Sequence, residues 1–145
     1  MKRIIQIVLF ACIFLTIAIT TMNCRSSAPD LGITNGKLLP CPGSPNCVNS
    51  QMSEEKHRID ALPDRWDELK SILENTASVT IIESGDTYIR AEYKIPVFQF
   101  IDDVEFLRDA SAGKIEVRSS SRVGKSDLGV NRRRIEKLRK QLGSS

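Results

Sequence analysis

Apolar and polar positions follow two different periods after residue 64. From Arg65 to Asn75 the apolar residues Trp66, Leu69, Ile72 and Leu73 recur at helical spacing, which predicts a helix over 65–75 with one buried stripe. Asp64 stands where it can cap the first amides, and Asp67 and Glu68 lie near the positive end of the helix dipole. A period of two then takes over. Ser78–Glu83 is rich in β-branched residues, and Ser84-Gly85-Asp86 is a turn signal. Thr87–Tyr93 sets Ile89, Ala91 and Tyr93 on one face and Tyr88, Arg90 and Glu92 on the other. Pro96 ends that run, because proline has no amide to donate to a ladder. Phe98–Phe100 leads into Asp102–Arg108, where Val104 and Phe106 share a face and Asp103 and Glu105 fall on the other, exposed one. Asp109–Gly113 turns, and Lys114–Ser119 points Ile115 and Val117 inward. The helical period returns over Asn131–Leu142: Val130 leads in, Ile135, Leu138 and Leu142 form the stripe, and Gly143 is the stop.

Short links between successive strands require antiparallel neighbours. The pattern therefore predicts an α+β domain of order α-β-β-β-β-α: a four-stranded antiparallel sheet with two helices packed on one face.

The first third of the chain has another character. Lys2 and Arg3 precede an almost unbroken apolar run, Ile4–Ile19, followed by the polar residues Thr20–Asn23 and then Cys24. A basic start, an apolar stretch and a polar exit have the form of a secretory signal. A cysteine closing such a run resembles the lipidation site of a bacterial lipoprotein. Competing readings are an uncleaved anchor, slightly short beside the roughly 20 residues of a full span, and an ordinary cleaved signal. All three place the domain outside the cytoplasm, on the extracytoplasmic side of the bacterial cell envelope. Residues 25–38 are rich in Ser, Gly, Asn and Pro without periodicity. The expected plan is a signal or anchor over 1–23, a flexible tether over 24–38, and a single globular domain over 39–142.

Cysteine usage agrees with export. Cys41 and Cys47 bracket Pro42, Gly43 and Pro45 in a tight loop, and they are the even pair left once Cys12 and Cys24 are assigned to the leader. A disulfide between them is the favoured reading; the alternative, a zinc site, wants four Cys or His ligands, and His57 is the sole histidine.

The formal net charge of +3 hides a split. Residues 24–117 carry 10 basic and 16 acidic side chains, whereas residues 118–145 carry 9 basic and 2 acidic ones. A basic C-terminal end on an acidic body is a surface for an anionic partner, a lipid head group, ligand or acidic protein; the competing reading has the basic helix neutralising its own domain. Basic and aromatic residues do not interleave in the manner of nucleic-acid readers, so no nucleic-acid partner is expected.

Within Ile115–Leu138 the polar residues exceed what spacing explains. Arg118, Ser119, Ser121, Arg122, Ser126, Asp127, Asn131, Arg132 and Arg134 are drawn together as one candidate ligand-binding constellation. Amides at a helix start beside arginines form an anion site. The structural alternative has Asp127 capping the helix and Arg122 or Arg132 pairing with Asp102, Asp103 or Glu105. The enzyme alternative, a hydrolase or transferase, would use Ser119 or Ser121 with Asp127, although a serine nucleophile needs an activating base. No catalytic residue, metal site or cofactor is assigned.

Three blocks, PCPGSPNCVNSQ, FQFIDDVEF and VRSSSRVGKSDLGVNRRRIEKLR, resemble in order the signature blocks of domain-of-unknown-function family 1499, across about residues 38–142. The resemblance implies envelope or plastid association and one compact domain, and it names no catalytic residue. The expectation is a non-enzymatic, membrane-tethered envelope domain that binds an anionic partner through Arg118–Arg134. A purely structural adaptor is the third reading.

Overall fold

A computed structural model describes residues 29–95 and 100–143. The signal or anchor reading of residues 1–23, Cys24, Pro96 and Phe98 lie outside the described residues. The elements in chain order are β1 (Ile33–Thr34), β2 (Lys37–Leu38), β3 (Cys47–Asn49), β4 (Leu62–Pro63), α1 (Trp66–Glu74), β5 (Val79–Ser84), β6 (Tyr88–Lys94), β7 (Ile101–Asp109), β8 (Lys114–Ser121) and α2 (Val130–Gly143).

The four-stranded sheet expected from the sequence is not what forms. The main sheet has six strands in the order β3-β8-β7-β6-β5, with β4 also on β8, and β1 and β2 make a separate two-stranded hairpin. All pairs are antiparallel. The extra strands come from the free edge of β8. Cys47–Asn49 bonds to Arg118–Ser120, and Leu62–Pro63 to Lys114–Ile115, so two short segments share one edge. Strands of two or three residues carry no readable alternation; their partner makes them strands. Pro63 is tolerated because an edge position need not donate.

One face of the sheet holds the core. Ile89, Ala91 and Tyr93 of β6, Val104 and Phe106 of β7, and Ile115 and Val117 of β8 form a single buried cluster with Trp66, Leu69 and Leu73 of α1 and Ile135, Leu138 and Leu142 of α2. Both helices therefore pack on this helix face. Trp66 is 4% exposed and anchors the start of α1. Asp64 does not cap α1 as its position suggested: the cap position is Arg65, without a side-chain bond. Asp64 Oδ1 instead accepts from Arg108 Nε at 2.8 Å.

The opposite face is polar, yet it is not exposed as expected: Asp103 is 1% and Glu105 0% accessible. The β1–β2 hairpin lies against β7 and β8, and the Gly32 amide donates to Glu105 Oε1 at 3.0 Å. This hairpin sits at the end of the stretch expected as a tether. A turn with Asn35 at φ 52° and Gly36 at φ 74° closes it, a conformation in which Asn and Gly carry little strain.

Candidate functional site

The alternation of β8 divides the polar constellation in two. Val104 lies opposite Ser119 and Asp102 opposite Ser121, whereas Glu105 lies opposite Arg118 and Asp103 opposite Ser120. Ser119 and Ser121 therefore point to the helix face, and Arg118 and Arg122 to the hairpin face.

On the helix face the cluster is centred on Asn131, which is fully buried in the first turn of α2. Its Nδ2 donates to Ser121 Oγ at 2.9 Å, to Asp127 Oδ2 at 2.8 Å and to the Asn46 carbonyl at 3.1 Å. Its Oδ1 accepts from Ser119 Oγ and Arg134 Nη1, both at 2.6 Å. Arg134 also donates to Ser119 Oγ at 2.9 Å, pairs with Asp102, and lies 4.6 Å over the Tyr93 ring. Burial pushes the Tyr93 hydroxyl up to about 12, against the pull of the Arg134 charge. Asp127 is the helix cap: its oxygens accept from the amides of Gly129 and Asn131 at 2.9 and 2.8 Å. Burial works against its ionisation, but those amides and the Asn131 side chain outweigh burial and hold the carboxyl below its ordinary value.

These contacts define what the serines can do. Ser119 Oγ meets Asn131 and Arg134, and Ser121 Oγ meets Asn131; none of these is a base that would activate a nucleophile. The helix-start amides of Gly129 and Asn131 are already bonded to Asp127. The cluster clamps α2 and the Cys41–Cys47 loop to the ends of β7 and β8.

On the hairpin face Arg122 grips Asp103 with two bonds of 2.7 Å and also reaches Glu92. Its hydrogen bond to Asp103, opposed by burial and aided by Glu92, raises the guanidinium pKa further. Arg118 Nη1 lies 3.3 Å from Glu105, and Arg90 lies 3.4 Å from Asp103. Tyr88 donates to Glu105 at 2.8 Å. Burial pushes the Tyr88 hydroxyl and the Glu105 carboxyl up; the hydrogen bond from Tyr88 and the charge of Arg118 offset only part of the effect on Glu105. Three arginines and three carboxylates thus compensate each other on this face of the sheet.

Arg132 belongs to neither cluster. It donates to the Lys56 carbonyl at 3.3 Å and, with Arg58, Asp60 and Glu136, lines a shallow cleft of about 470 Å³. Arg133, Lys137 and Lys140 are exposed at i, i+4 and i+7 along the outer side of α2, opposite its apolar stripe. Lys125 is exposed in the loop before it.

Cys41 and Cys47 form a disulfide, with Cα atoms 5.6 Å apart. Among the described residues no group of three or more His, Cys, Asp or Glu could hold a metal ion, and no helix is long and apolar enough to cross a membrane.

Several key residues escaped the sequence reading. Asn46 accepts from Asn131 and from the Ser121 amide, and its Nδ2 donates to the Gly124 carbonyl at 2.8 Å. The available signal was its place in a proline-rich loop, where Asn side chains replace absent backbone partners. His57, in a charged stretch, is 1% exposed and bonds through Nδ1 to the Cys47 carbonyl at 2.9 Å. For Tyr88, Tyr93 and Arg90 the sequence pattern indicates only strand positions.

A family model described as a protein of unknown function (DUF1499) matches residues 37–142. No curated protein and no solved structure matches the chain.

Proposed function

The chain belongs to the DUF1499 family, whose description assigns no activity, and from that premise we propose that it is a non-enzymatic, membrane-tethered module of the cell envelope that binds an anionic partner through the outer side of α2. The observation that carries this reading is the division of the cations. Arg118, Arg122 and Arg134 are spent on internal carboxylates, whereas Arg133 and Lys137 stand exposed on the outer side of α2. The proposed surface is thus narrower than Arg118–Arg134 and lies further along the helix. Tethering supports it physically: from Cys24 to Gly32 the chain can span at most about 28 Å, so a lipid on Cys24 would hold the domain close to the bilayer.

The test is thermal melting of residues 29–145, which contain the whole buried core, against anionic lipids, phosphates and acidic glycans. A ligand at about 100 times its Kd adds about 2.7 kcal/mol of apparent stability. A shift that disappears in an Arg133→Glu/Lys137→Glu variant supports the reading. No shift with any anion, or a shift unchanged in the variant, overturns it.

A further inference from the structure

The loop between β8 and α2 presents an apolar residue that the fold does not use. Leu128 is 84% exposed, and its backbone is left-handed at φ 52°. A leucine there carries strain that Gly or Asn would avoid, and its side chain gains no burial in return. The turn is nonetheless held firmly. Arg133 Nη1 donates to the Leu128 carbonyl at 2.7 Å, and Asp127 fixes the following amide of Gly129 at 2.9 Å. The tip is displayed by design of its neighbours rather than left loose.

Other apolar groups lie at the same end of the sheet. The Arg122 amide donates to the Ile101 carbonyl, one step beyond the last β7–β8 pair, Asp102 with Ser121, and Phe100 and Val123 adjoin these residues in sequence. Val123 is 36% and Phe100 49% exposed. Lys125 and Arg133 are exposed on the two sides of Leu128 in sequence. Asp127, the sole acid between Arg122 and Ile135, faces inward to the helix amides. An apolar tip flanked in sequence by exposed cations, with its acid turned away, is complementary to one surface in particular: an acyl interior beneath anionic head groups.

We propose that the partner is an anionic lipid bilayer, and that Leu128 inserts below the head groups while Lys125, Arg133 and Lys137 contact them. This rests on the anion-binding reading of α2 and adds to it the partner and the inserting residue. Insertion of a leucine side chain is worth about tenfold or more in membrane partitioning, so Leu128→Ala weakens association by about that factor.

The deciding experiment uses the full chain carrying Leu128→Trp, reconstituted into phosphatidylcholine vesicles with and without phosphatidylglycerol. Nitroxide quenchers are placed either on the head group or on the acyl chain. Trp66 is buried in the core, so the chain with Trp66 alone supplies the background. Far-UV circular dichroism confirms folding, which an 84% exposed position leaves intact. The expected result is acyl-chain quenching above background in phosphatidylglycerol vesicles, reduced about tenfold or more in the presence of Arg133→Glu/Lys137→Glu. Quenching by the head-group nitroxide alone overturns insertion and leaves α2 docking in place. Quenching by neither overturns this proposal and the assignment of a membrane as the α2 partner together, and the melting shift with soluble anions then decides whether α2 binds anions at all.

Discussion

Arg122 and Asp103 form a bidentate ion pair across the end of β7 and β8, Nε to Oδ2 and Nη2 to Oδ1, both at 2.7 Å, with both side chains nearly inaccessible. The arginine that looked best placed to meet an external anion is thus committed to an internal one. A guanidinium fork already filled by a carboxylate has little left for a ligand, and releasing it would leave the buried Asp103 with only the longer contact to Arg90, at 3.4 Å.

Removing one member of that pair is therefore expected to unfold rather than to disable. Arg122→Ala lowers stability by about 3–5 kcal/mol, the usual cost of removing one partner of a buried ion pair. Arg122→Met combined with Asp103→Leu costs less than Arg122→Ala alone, since neither charge then remains; Glu92 and Arg90 become each other's remaining neighbours. Urea midpoints of the three proteins check this. A double variant less stable than the single one would show that the pair does more than cancel its own desolvation.

Asn131 makes a complementary prediction on the helix face. Its amide serves Ser119, Ser121, Asp127, Arg134 and the Asn46 carbonyl within 3.1 Å. Asn131→Leu fills similar volume but leaves those buried groups unpaired, at about 1–3 kcal/mol for each one that water cannot reach. The expected outcome is a loss of at least about 3 kcal/mol in chemical denaturation. Hydrogen exchange of the α2 amides should accelerate before that of β6 and β7; uniform acceleration would mean the cluster does not specifically hold the helix.

The contrast between these two clusters marks what the sequence could reveal. Inward Ile115 and Val117 imply, by continuation, that Ser119 and Ser121 point to the helices and Arg118 and Arg122 away from them. The division was legible, but nearness in sequence led to one constellation. The burial of the outer cluster was not legible. It depends on a hairpin over Ile33–Leu38 whose Gly- and Asn-rich run looks like a linker, and on Cys47–Asn49 and Leu62–Pro63, strands too short to show a period. The helices and the strands β5–β8 have long periodic runs, but such runs report which residues face inward, not what covers the other side. The four-stranded sheet failed for that reason.

Asp127 gives the acid limb of the stability curve a defined contribution. Its folded-state pKa lies below the ordinary value despite burial, because the amides of Asn131 and Gly129 bond to the ionised form. A depressed carboxylate stabilises above its unfolded pKa and loses that contribution as pH falls through the folded one. Asp127→Asn keeps a capping side chain but not the charge. The wild type should be more stable than this variant at neutral pH, and the gap should close as pH falls below the ordinary carboxylate value. Glu105 acts in the opposite direction: its raised pKa gives stability present at low pH and lost as pH rises through the folded value. Subtracting the two curves removes the Glu105 contribution, which both proteins share. A gap that stays constant with pH would remove the charge from the account of this cap.

The Cys41–Cys47 disulfide is expected to matter through Asn46 more than through chain entropy. The bridge spans a sequence separation of 6, and closing so small a ring restricts the unfolded chain by only about 2.4 kcal/mol. Yet the ring ends beside Asn46, whose carbonyl accepts from Asn131 Nδ2 and from the Ser121 amide. His57 bonds to the carbonyl of Cys47 itself. Cutting the bridge frees the segment whose Asn46 carbonyl is the acceptor for Asn131 and for the Ser121 amide. The Cys41→Ser/Cys47→Ser variant should therefore lose more than the entropic figure, and the excess should vanish when Asn131 is already Ala. In a double-mutant cycle this appears as a coupling of about 0.5–3 kcal/mol between the disulfide and Asn131. Strict additivity would mean that Pro42, Gly43 and Pro45 position Asn46 without the bridge, leaving the disulfide a local restraint on its own loop.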